Sequence, residues 1–159
     1  MSSQASILYK RINHRVPQRK YITEGTKQIH NTLQDLNHIN NITHKIIGIC
    51  CQVHTDLGPG LLESSYKACL DYELRQSGFV VEKEKPLPLI YKEVKLDIGY
   101  RVDLLIENLV VVEIKAVESL TDVHTAQVLT YLKLSGCKVG LLINFNVSRL
   151  MKGLKRLVL

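Results

Sequence analysis

The chain lacks any long hydrophobic run. No apolar stretch approaches the roughly 20 residues that a membrane-spanning helix needs, and the first 20 residues lack the apolar core of a signal peptide. Internal repeats and low-complexity segments are also missing. At 159 residues, 45% of them hydrophobic and 23% charged, the chain matches one ordinary globular domain. We therefore expect a soluble, cytoplasmic protein without membrane contact.

Cysteine is scarce, and its spacing excludes the usual zinc sites. None of the four cysteines belongs to a CxxC or Cys/His ligand pattern. Adjacent Cys50 and Cys51 cannot easily form a disulfide with each other. We expect all four thiols to be reduced and mostly buried, and we interpret His54 and His124 as structural. The cysteines are Cys50, Cys51, Cys69 and Cys137.

The net charge of +6 is unevenly distributed. Residues 1–45 contain seven Lys or Arg and two acidic residues, whereas residues 46–159 contain fourteen and thirteen. A basic segment of this kind suits contact with a polyanion such as nucleic acid. It suits equally a solvated arm that maintains solubility. Charge alone does not distinguish these two interpretations.

Hydrophobic periodicity divides the chain near residue 40. Residues 1–39 predict a basic polar extension, partly disordered, with a weak helical pattern at Ile29, Leu33 and Leu36. A firm helical pattern begins near Asn40 and stops at the breaker "DLGPG". A second helix follows in "LLESSYKACLDYELRQSG" and a third in "TDVHTAQVLTYLKLSG", closed by Gly78 and Gly136.

The strand pattern completes a domain over residues 40–159. Three strands in a meander are predicted between the second and third helices, and two more after the third. This order predicts an α/β (α+β) sandwich around a mixed sheet. The strand segments are "FVVEKEKPLPLIY", "EVKLDIGYRVDLLI", "VVVEIKAV", "KVGLLINF" and "LKRLVL".

Three charged groups lie where a sheet core should be apolar. Glu113 and Lys115 are two residues apart on one strand and must share a face. Asp103 joins that face only if the hairpin turn has the right length. A two-residue turn would pair Asp103 with Val112, whereas a three-residue turn over residues 107–109 pairs Asp103 with Glu113. We predict the three-residue turn, because it brings both carboxylates together.

Two neighbouring carboxylates repel each other unless a proton or a cation lies between them. Mg²⁺ is commonly held by one or two carboxylates with waters and substrate phosphates, and an adjacent ammonium can position water or offset charge on a phosphate. The alternative is a cross-strand ion-pair ladder on a solvated face, which needs no chemistry. That ladder would contain Arg101, Asp103, Glu113 and Lys115.

Polar residues on two helices strengthen the prediction of a site. Glu63 falls on the same helical stripe as Tyr66 and Leu70, which places it near the inward side. Its alternative role is to complement the helix dipole. In the third helix, Gln127 and Tyr131 share a polar stripe with His124.

These motifs resemble the PD-(D/E)XK nuclease superfamily and, within it, the small proteins named for a GxxExxY motif. The matching segments are "GLLESSY" (60–66), Asp103, "EIK" (113–115) and "QVLTY" (127–131), in the family's order. The resemblance covers about Asn40 to Leu159. It implies a restriction-endonuclease-like core with a mixed central sheet flanked by helices, and a site at one edge of that sheet.

The resemblance also implies roles for the site residues. Asp103 and Glu113 would be metal ligands, with the Ile114 backbone carbonyl as a further ligand. Lys115 would position the attacking water, and Glu63 would assist at the metal. Gln127 and Tyr131 would orient the site or contact the nucleic-acid strand.

We therefore expect a Mg²⁺-dependent nuclease that hydrolyses DNA, with Mn²⁺ as a substitute metal. The alternative is a non-cleaving module that binds nucleic acid or protein on the same fold. An RNA-directed enzyme cannot be separated from a DNA-directed one by sequence. A specific protein–DNA interface buries roughly 1,000 Å² or more, so a domain this small is expected to form a homodimer or to bind weakly.

Overall fold

The computed structural model describes residues 18–159, without the side chains of residues 18–23, 25, 97 and 98. The first seventeen residues of the predicted extension lie outside the described residues. Backbone contacts divide the chain into two units, Met1–His38 and Ile39–Leu159. Within the described residues, no helix combines the length and the hydropathy needed to cross a membrane.

The first helix begins earlier than the sequence pattern predicts. Helix α1 spans Gln18–Leu57, so the predicted start near Asn40 is wrong. No proline interrupts residues 18–57, and the apolar spacing of Ile29, Leu33 and Leu36 is helical. Those three side chains are exposed. The periodicity was weak because this segment buries no apolar face in the described structure.

The two shorter helices begin and end as their sequences indicate. Helix α2 spans Glu63–Gln76, and Gly78 follows it with a φ of 85°. Helix α3 spans Asp122–Ser135 and ends at Gly136 with a φ of 76°. Such positive φ angles favour glycine. At the start of α3, Thr121 and His124 form a capping box, which gives His124 the expected structural role.

A five-stranded mixed sheet forms the centre of the domain, as predicted. The strands lie in the sheet in chain order, and among the described strands only the third and fourth are parallel, joined by a crossover through α3. A short 3₁₀ helix, Leu150–Lys152, precedes the last strand. The strands are β1 (Val81–Tyr91), β2 (Val94–Ile106), β3 (Val110–Lys115), β4 (Val139–Asn144) and β5 (Leu154–Val158).

Buried side chains form two clusters. The first joins α1 from Ile39 onward and α2 to residues of the sheet, while the second joins α3 to the sheet. Strands β3 and β4 are buried along nearly their whole length, as central strands should be. Helix α3 packs so closely that a Cβ added at Gly140 would lie 2.6 Å from Val128 Cγ1. All four cysteines are free thiols, as expected.

Candidate active site

The β2–β3 hairpin has the predicted three-residue connection. Ile106 pairs with Val110 and Leu104 with Val112, which leaves residues 107–109 between the strands. Glu107 and Asn108 adopt positive φ angles of 53° and 56°. One further step in this register brings Asp103 opposite Glu113. The prediction that the turn unites the two carboxylates therefore agrees with the register.

A hydrogen bond fixes Asp103 against the neighbouring strand. The Ile114 amide donates to Asp103 Oδ2 over 2.9 Å, and this contact is buried. The paired register between β2 and β3 ends at Leu104 and Val112, so Arg101, a member of the alternative ion-pair ladder, does not pair with β3. Arg101 instead lies opposite Pro86, where β2 continues with β1 alone.

Each carboxylate is paired with a lysine. Lys115 Nζ lies 2.6 Å from Glu113 Oε1, and Lys67 Nζ lies 2.6 Å from Asp103 Oδ1. All four side chains are largely shielded from solvent, so the alternative of a solvated ion-pair ladder does not describe this site. Burying charged pairs costs desolvation energy that their attraction often fails to repay. Their burial therefore favours a functional role.

Lys67 is the residue that the sequence reasoning missed. It directly follows the GLLESSY segment and lies one helical turn after Glu63, on the same side of α2. That spacing was the available signal. Its pairing with Asp103 depends on how α2 packs over β2, which periodicity does not reveal.

Glu113 has an oxygen that the protein leaves unsatisfied. Glu113 Oε2 is buried and has no hydrogen-bond partner among the described residues. Burial raises the pKa of Glu113 to about 7, with repulsion from Asp103 adding to the effect and Lys115 opposing it. A buried polar atom without a partner is costly. A divalent cation is a suitable partner for two adjacent carboxylates, so Asp103 and Glu113 fit a metal of this kind.

Within residues 18–159 as described, no group of three or more His, Cys, Asp or Glu side chains is arranged to hold a metal ion. Glu63 lies near enough to raise the pKa of both Glu113 and Lys115 through its charge. It does not complete a three-residue ligand set. The predicted metal roles of Glu63 and of the Ile114 carbonyl stay predictions.

Lys115 remains an ammonium at neutral pH. Burial lowers its pKa, but the hydrogen bond and charge of Glu113 outweigh that effect, and the net pKa lies above the usual lysine value. The same balance, with Asp103 as partner, raises the pKa of Lys67. The site thus holds two fixed positive charges beside its carboxylates.

Tyr66 orders the loop that leads into α2. Its hydroxyl donates to the Gly58 carbonyl over 2.6 Å and accepts from the Leu61 amide over 3.1 Å. Its ring stacks on Phe145 with centroids 4.5 Å apart. Gly58 and Gly60 have positive φ angles of 68° and 101°, which suit glycine. The last residue of GxxExxY thereby positions the turn from which Glu63 projects.

Gln127 and Tyr131 form one unit on α3. Gln127 Nε2 donates to the Tyr131 hydroxyl over 2.7 Å, and Tyr131 is buried. Burial raises the pKa of Tyr131, and the charges of Glu113, Lys115 and Asp103 also act on it. The structure therefore brings this predicted pair to the same electrostatic environment as the carboxylates.

A buried amide holds the chain where it leaves β3. Asn144 Nδ2 donates to the Val117 carbonyl over 2.8 Å, and its Oδ1 accepts from the Val117 amide over 3.1 Å. The Phe145 amide donates to the Lys115 carbonyl over 2.8 Å. Asn144 thus supports Lys115 from the parallel strand. His54, in contrast, bonds the Val147 carbonyl over 2.8 Å and has the expected structural role.

Carboxylates and a lysine on adjacent strands of a mixed sheet are groups that can hold a divalent cation and offset charge on a phosphate. The family model of the PD-(D/E)XK nuclease superfamily matches residues 40–157, and the chain belongs to this superfamily. Its fold is restriction-endonuclease-like. Members are typically nucleases and generally use divalent metal ions. Comparisons with curated proteins and with solved structures returned no match.

Proposed function

We propose that the protein is a Mg²⁺-dependent nuclease of the GxxExxY type that hydrolyses phosphodiester bonds of DNA in the cytoplasm. The observation that carries the proposal is the buried, unpartnered Oε2 of Glu113 beside Asp103 and Lys115. A buried oxygen is rarely left without a partner in a protein unless a bound group interacts with it.

Asp103 and Glu113 would hold the metal, with the Ile114 carbonyl and Glu63 as further contributors. When bound, Mg²⁺ supplies positive charge that stabilises the phosphate during hydrolysis, and Mn²⁺ would substitute for it. Lys67 Nζ, 2.6 Å from Asp103 Oδ1, offsets the charge of that carboxylate.

Lys115 would position the attacking water and offset the charge that develops on the phosphate. Its ammonium is available for both roles because its pKa is raised. Gln127 and Tyr131 would orient the site or contact the nucleic-acid strand. Their mutual hydrogen bond leaves the Tyr131 hydroxyl proton free to donate.

A second function, a non-cleaving module that binds nucleic acid or protein, is favoured by one observation. Both carboxylates already have a lysine partner within the chain. In such a module the two ion pairs would persist, and the small surface of one domain would be extended by a homodimer.

Purified protein comprising residues 1–159 should be incubated with single-stranded, double-stranded and structured DNA and RNA, in Mg²⁺, in Mn²⁺ and in chelator. The nuclease proposal expects cleavage of DNA that requires metal and is lost in Asp103→Asn and Lys115→Met. The matched control is Lys85→Met, because Lys85 pairs with Glu82 at an exposed part of the sheet.

Cleavage that survives both site substitutions would indicate a contaminant and contradict the proposal. Absent cleavage, with nucleic-acid binding retained in Lys115→Met, would instead support the binding module. Sedimentation of the same samples measures whether a homodimer forms.

A further inference from the structure

One lysine of the candidate site lies between two carboxylates on neighbouring strands. Lys67 Nζ is 2.6 Å from Asp103 Oδ1 and 3.5 Å from Glu84 Oε1. The side chain of Lys67 is 14% exposed, whereas that of Glu84 is 52% exposed. Lys67 therefore has a close, shielded partner in the candidate site and a longer contact with a carboxylate at the surface.

Glu84 adopts an unusual backbone conformation in β1. The register of the residues that flank it puts Glu84 opposite Asp103 in the ladder between β1 and β2. Its φ is 51°, a left-handed conformation that costs free energy in a residue with a side chain and that clusters at functional sites. The carboxylates of Glu84 and Asp103 contact the same ammonium. The backbone of β1 therefore holds Glu84 within reach of Lys67 at a cost in strain.

Both carboxylate oxygens of Asp103 have a donor. Oδ2 accepts from the Ile114 amide over 2.9 Å, and Oδ1 pairs with Lys67. A divalent cation on Oδ1 would lie close to the Lys67 ammonium, and like charges repel strongly where solvent is largely excluded. Among the side chains that the structure describes, no three His, Cys, Asp or Glu are arranged to hold a metal ion. Lys67 therefore competes with a metal for Asp103 Oδ1.

The path by which Lys67 can leave Asp103 is short. A lysine side chain has a flexible stem and an ammonium with three donors. A shift of less than about 1 Å would bring Nζ from 3.5 Å to an ordinary hydrogen-bond distance from Glu84 Oε1. The ammonium would thus keep a negatively charged partner after it leaves Asp103.

We propose that Lys67 is a displaceable counter-ion of the metal site. In the metal-free protein it holds Asp103 in place and balances its charge, and it shifts to Glu84 when a divalent cation is bound. Lys67 and Glu84 are then positioning residues, which set the metal affinity through Asp103 without contacting the metal. The inference rests on the proposed nuclease function and deepens it, because it adds control of metal binding at the same site.

The test measures metal binding in the absence of nucleic acid. Free Mn²⁺ is followed by electron paramagnetic resonance near pH 8 in about 0.15 M salt, with protein comprising residues 1–159. The variants are Lys67→Met, Glu84→Gln and the double variant. The matched controls are Lys85→Met and Glu82→Gln, because this ion pair is more exposed and lies on the same strand as Glu84.

Lys67→Met should bind Mn²⁺ roughly 10-fold more tightly than wild type, because the competing ammonium is removed. In chelator it should melt about 5 °C or more below wild type, since Asp103 loses its charged partner, and Mn²⁺ should restore the melting temperature. A lysine with a purely structural role would instead weaken both stability and metal binding when removed. Lys67→Gln, which keeps a donor without the charge, replaces Lys67→Met if that variant does not fold.

Glu84→Gln should weaken Mn²⁺ binding roughly threefold or more, because the displaced ammonium no longer has a carboxylate partner. In the Lys67→Met background the same substitution should change the affinity by less than about twofold, since Glu84 acts through Lys67. Lys85→Met and Glu82→Gln should bind Mn²⁺ within about twofold of wild type.

If neither Lys67→Met nor Lys67→Gln bound Mn²⁺ more tightly than wild type, the inference would be overturned and the nuclease proposal would remain. An equal effect of Glu84→Gln with and without Lys67 would also overturn it, because Glu84 would then not act through Lys67. No Mn²⁺ binding by wild type or by any of these variants would contradict the metal site itself, and with it both proposals.

Discussion

Two lysine–glutamate ion pairs in the same sheet have nearly equal distances between Nζ and Oε1, but they differ greatly in solvent exposure. Lys115 and Glu113 are 2.6 Å apart, with side chains 12% and 4% exposed. Lys85 and Glu82 are 2.8 Å apart, with side chains 32% and 44% exposed. Within the described residues, the Lys115–Glu113 pair includes a buried oxygen without a hydrogen-bond partner, Glu113 Oε2.

The comparison shows that burial, rather than the presence of an ion pair, distinguishes the site. An exposed pair contributes about 0–1 kcal/mol and is readily lost. Removing a buried ion pair from water costs free energy that the attraction between its charges often fails to repay. A contribution to stability alone therefore does not explain the buried pair. The buried pair belongs to the EIK segment that carries the resemblance to the superfamily, and the exposed pair lies outside the motif segments.

The largest expected difference between the pairs is in catalysis. Lys115→Met should lower metal-dependent DNA cleavage by about 100-fold or more, because it removes a charge that offsets the transition-state phosphate. Lys85→Met should cleave like wild type. Single-turnover rates on the same labelled DNA measure both. Equal rates for the two variants would remove the distinction between the pairs.

The second difference is in the pH dependence of stability. The folded-state pKa of Glu113 is raised to about 7, above its unfolded value of 4.5. Its contribution to the free energy of unfolding is therefore fully present below pH 4.5 and lost as the pH rises through about 7. Relative to Glu113→Gln, wild-type protein should lose roughly 1–3 kcal/mol between pH 5 and pH 8 in chelator.

Urea unfolding across this pH range provides the measurement. Glu82→Gln is the control, since it removes an exposed carboxylate from the surface pair, and it should show no matching slope. If the difference in the free energy of unfolding between wild type and Glu113→Gln did not change with pH, that result would contradict the raised pKa of Glu113.

A third comparison uses two tyrosines of α2. Tyr66→Phe removes the hydrogen bonds to Gly58 and Leu61 but keeps the ring stack on Phe145. It should lower the free energy of unfolding by about 1–2 kcal/mol and reduce cleavage, because the turn before Glu63 loosens. Tyr72→Phe, at an exposed position on the same helix, should change neither quantity. Denaturant melts and cleavage rates would separate the two variants.

The smallest effect concerns the exposed pair itself. Lys85→Met should change the free energy of unfolding by no more than about 0.5 kcal/mol, and raising the salt concentration should reduce even that change. Thermal melts at low and high salt measure it. A loss above about 2 kcal/mol would show that exposure does not determine the strength of these pairs.

Most of the fold could be predicted because its local signals agree. Gly78 and Gly136 end their helices as the sequence indicates, and strand periodicity located all five strands. The hairpin register followed from the need to unite Asp103 and Glu113. Lys67 and Asn144 could not be predicted, because their partners depend on how α2 and β4 pack against the strands. The start of helix α1 was predicted too late in the chain, because the exposed first half of this helix has no buried apolar face to strengthen the periodicity.

The most direct test of the central claim, that Asp103 and Glu113 form a divalent-metal site, is a titration with Mn²⁺ followed by electron paramagnetic resonance. Wild-type protein near pH 8 should remove Mn²⁺ from the free pool, and Asp103→Asn and Glu113→Gln should not, while Glu82→Gln should bind like wild type. Binding should weaken as the pH falls below about 7, because protonation of Glu113 competes with the metal. Equal Mn²⁺ binding by wild type, Asp103→Asn and Glu113→Gln would contradict the claim.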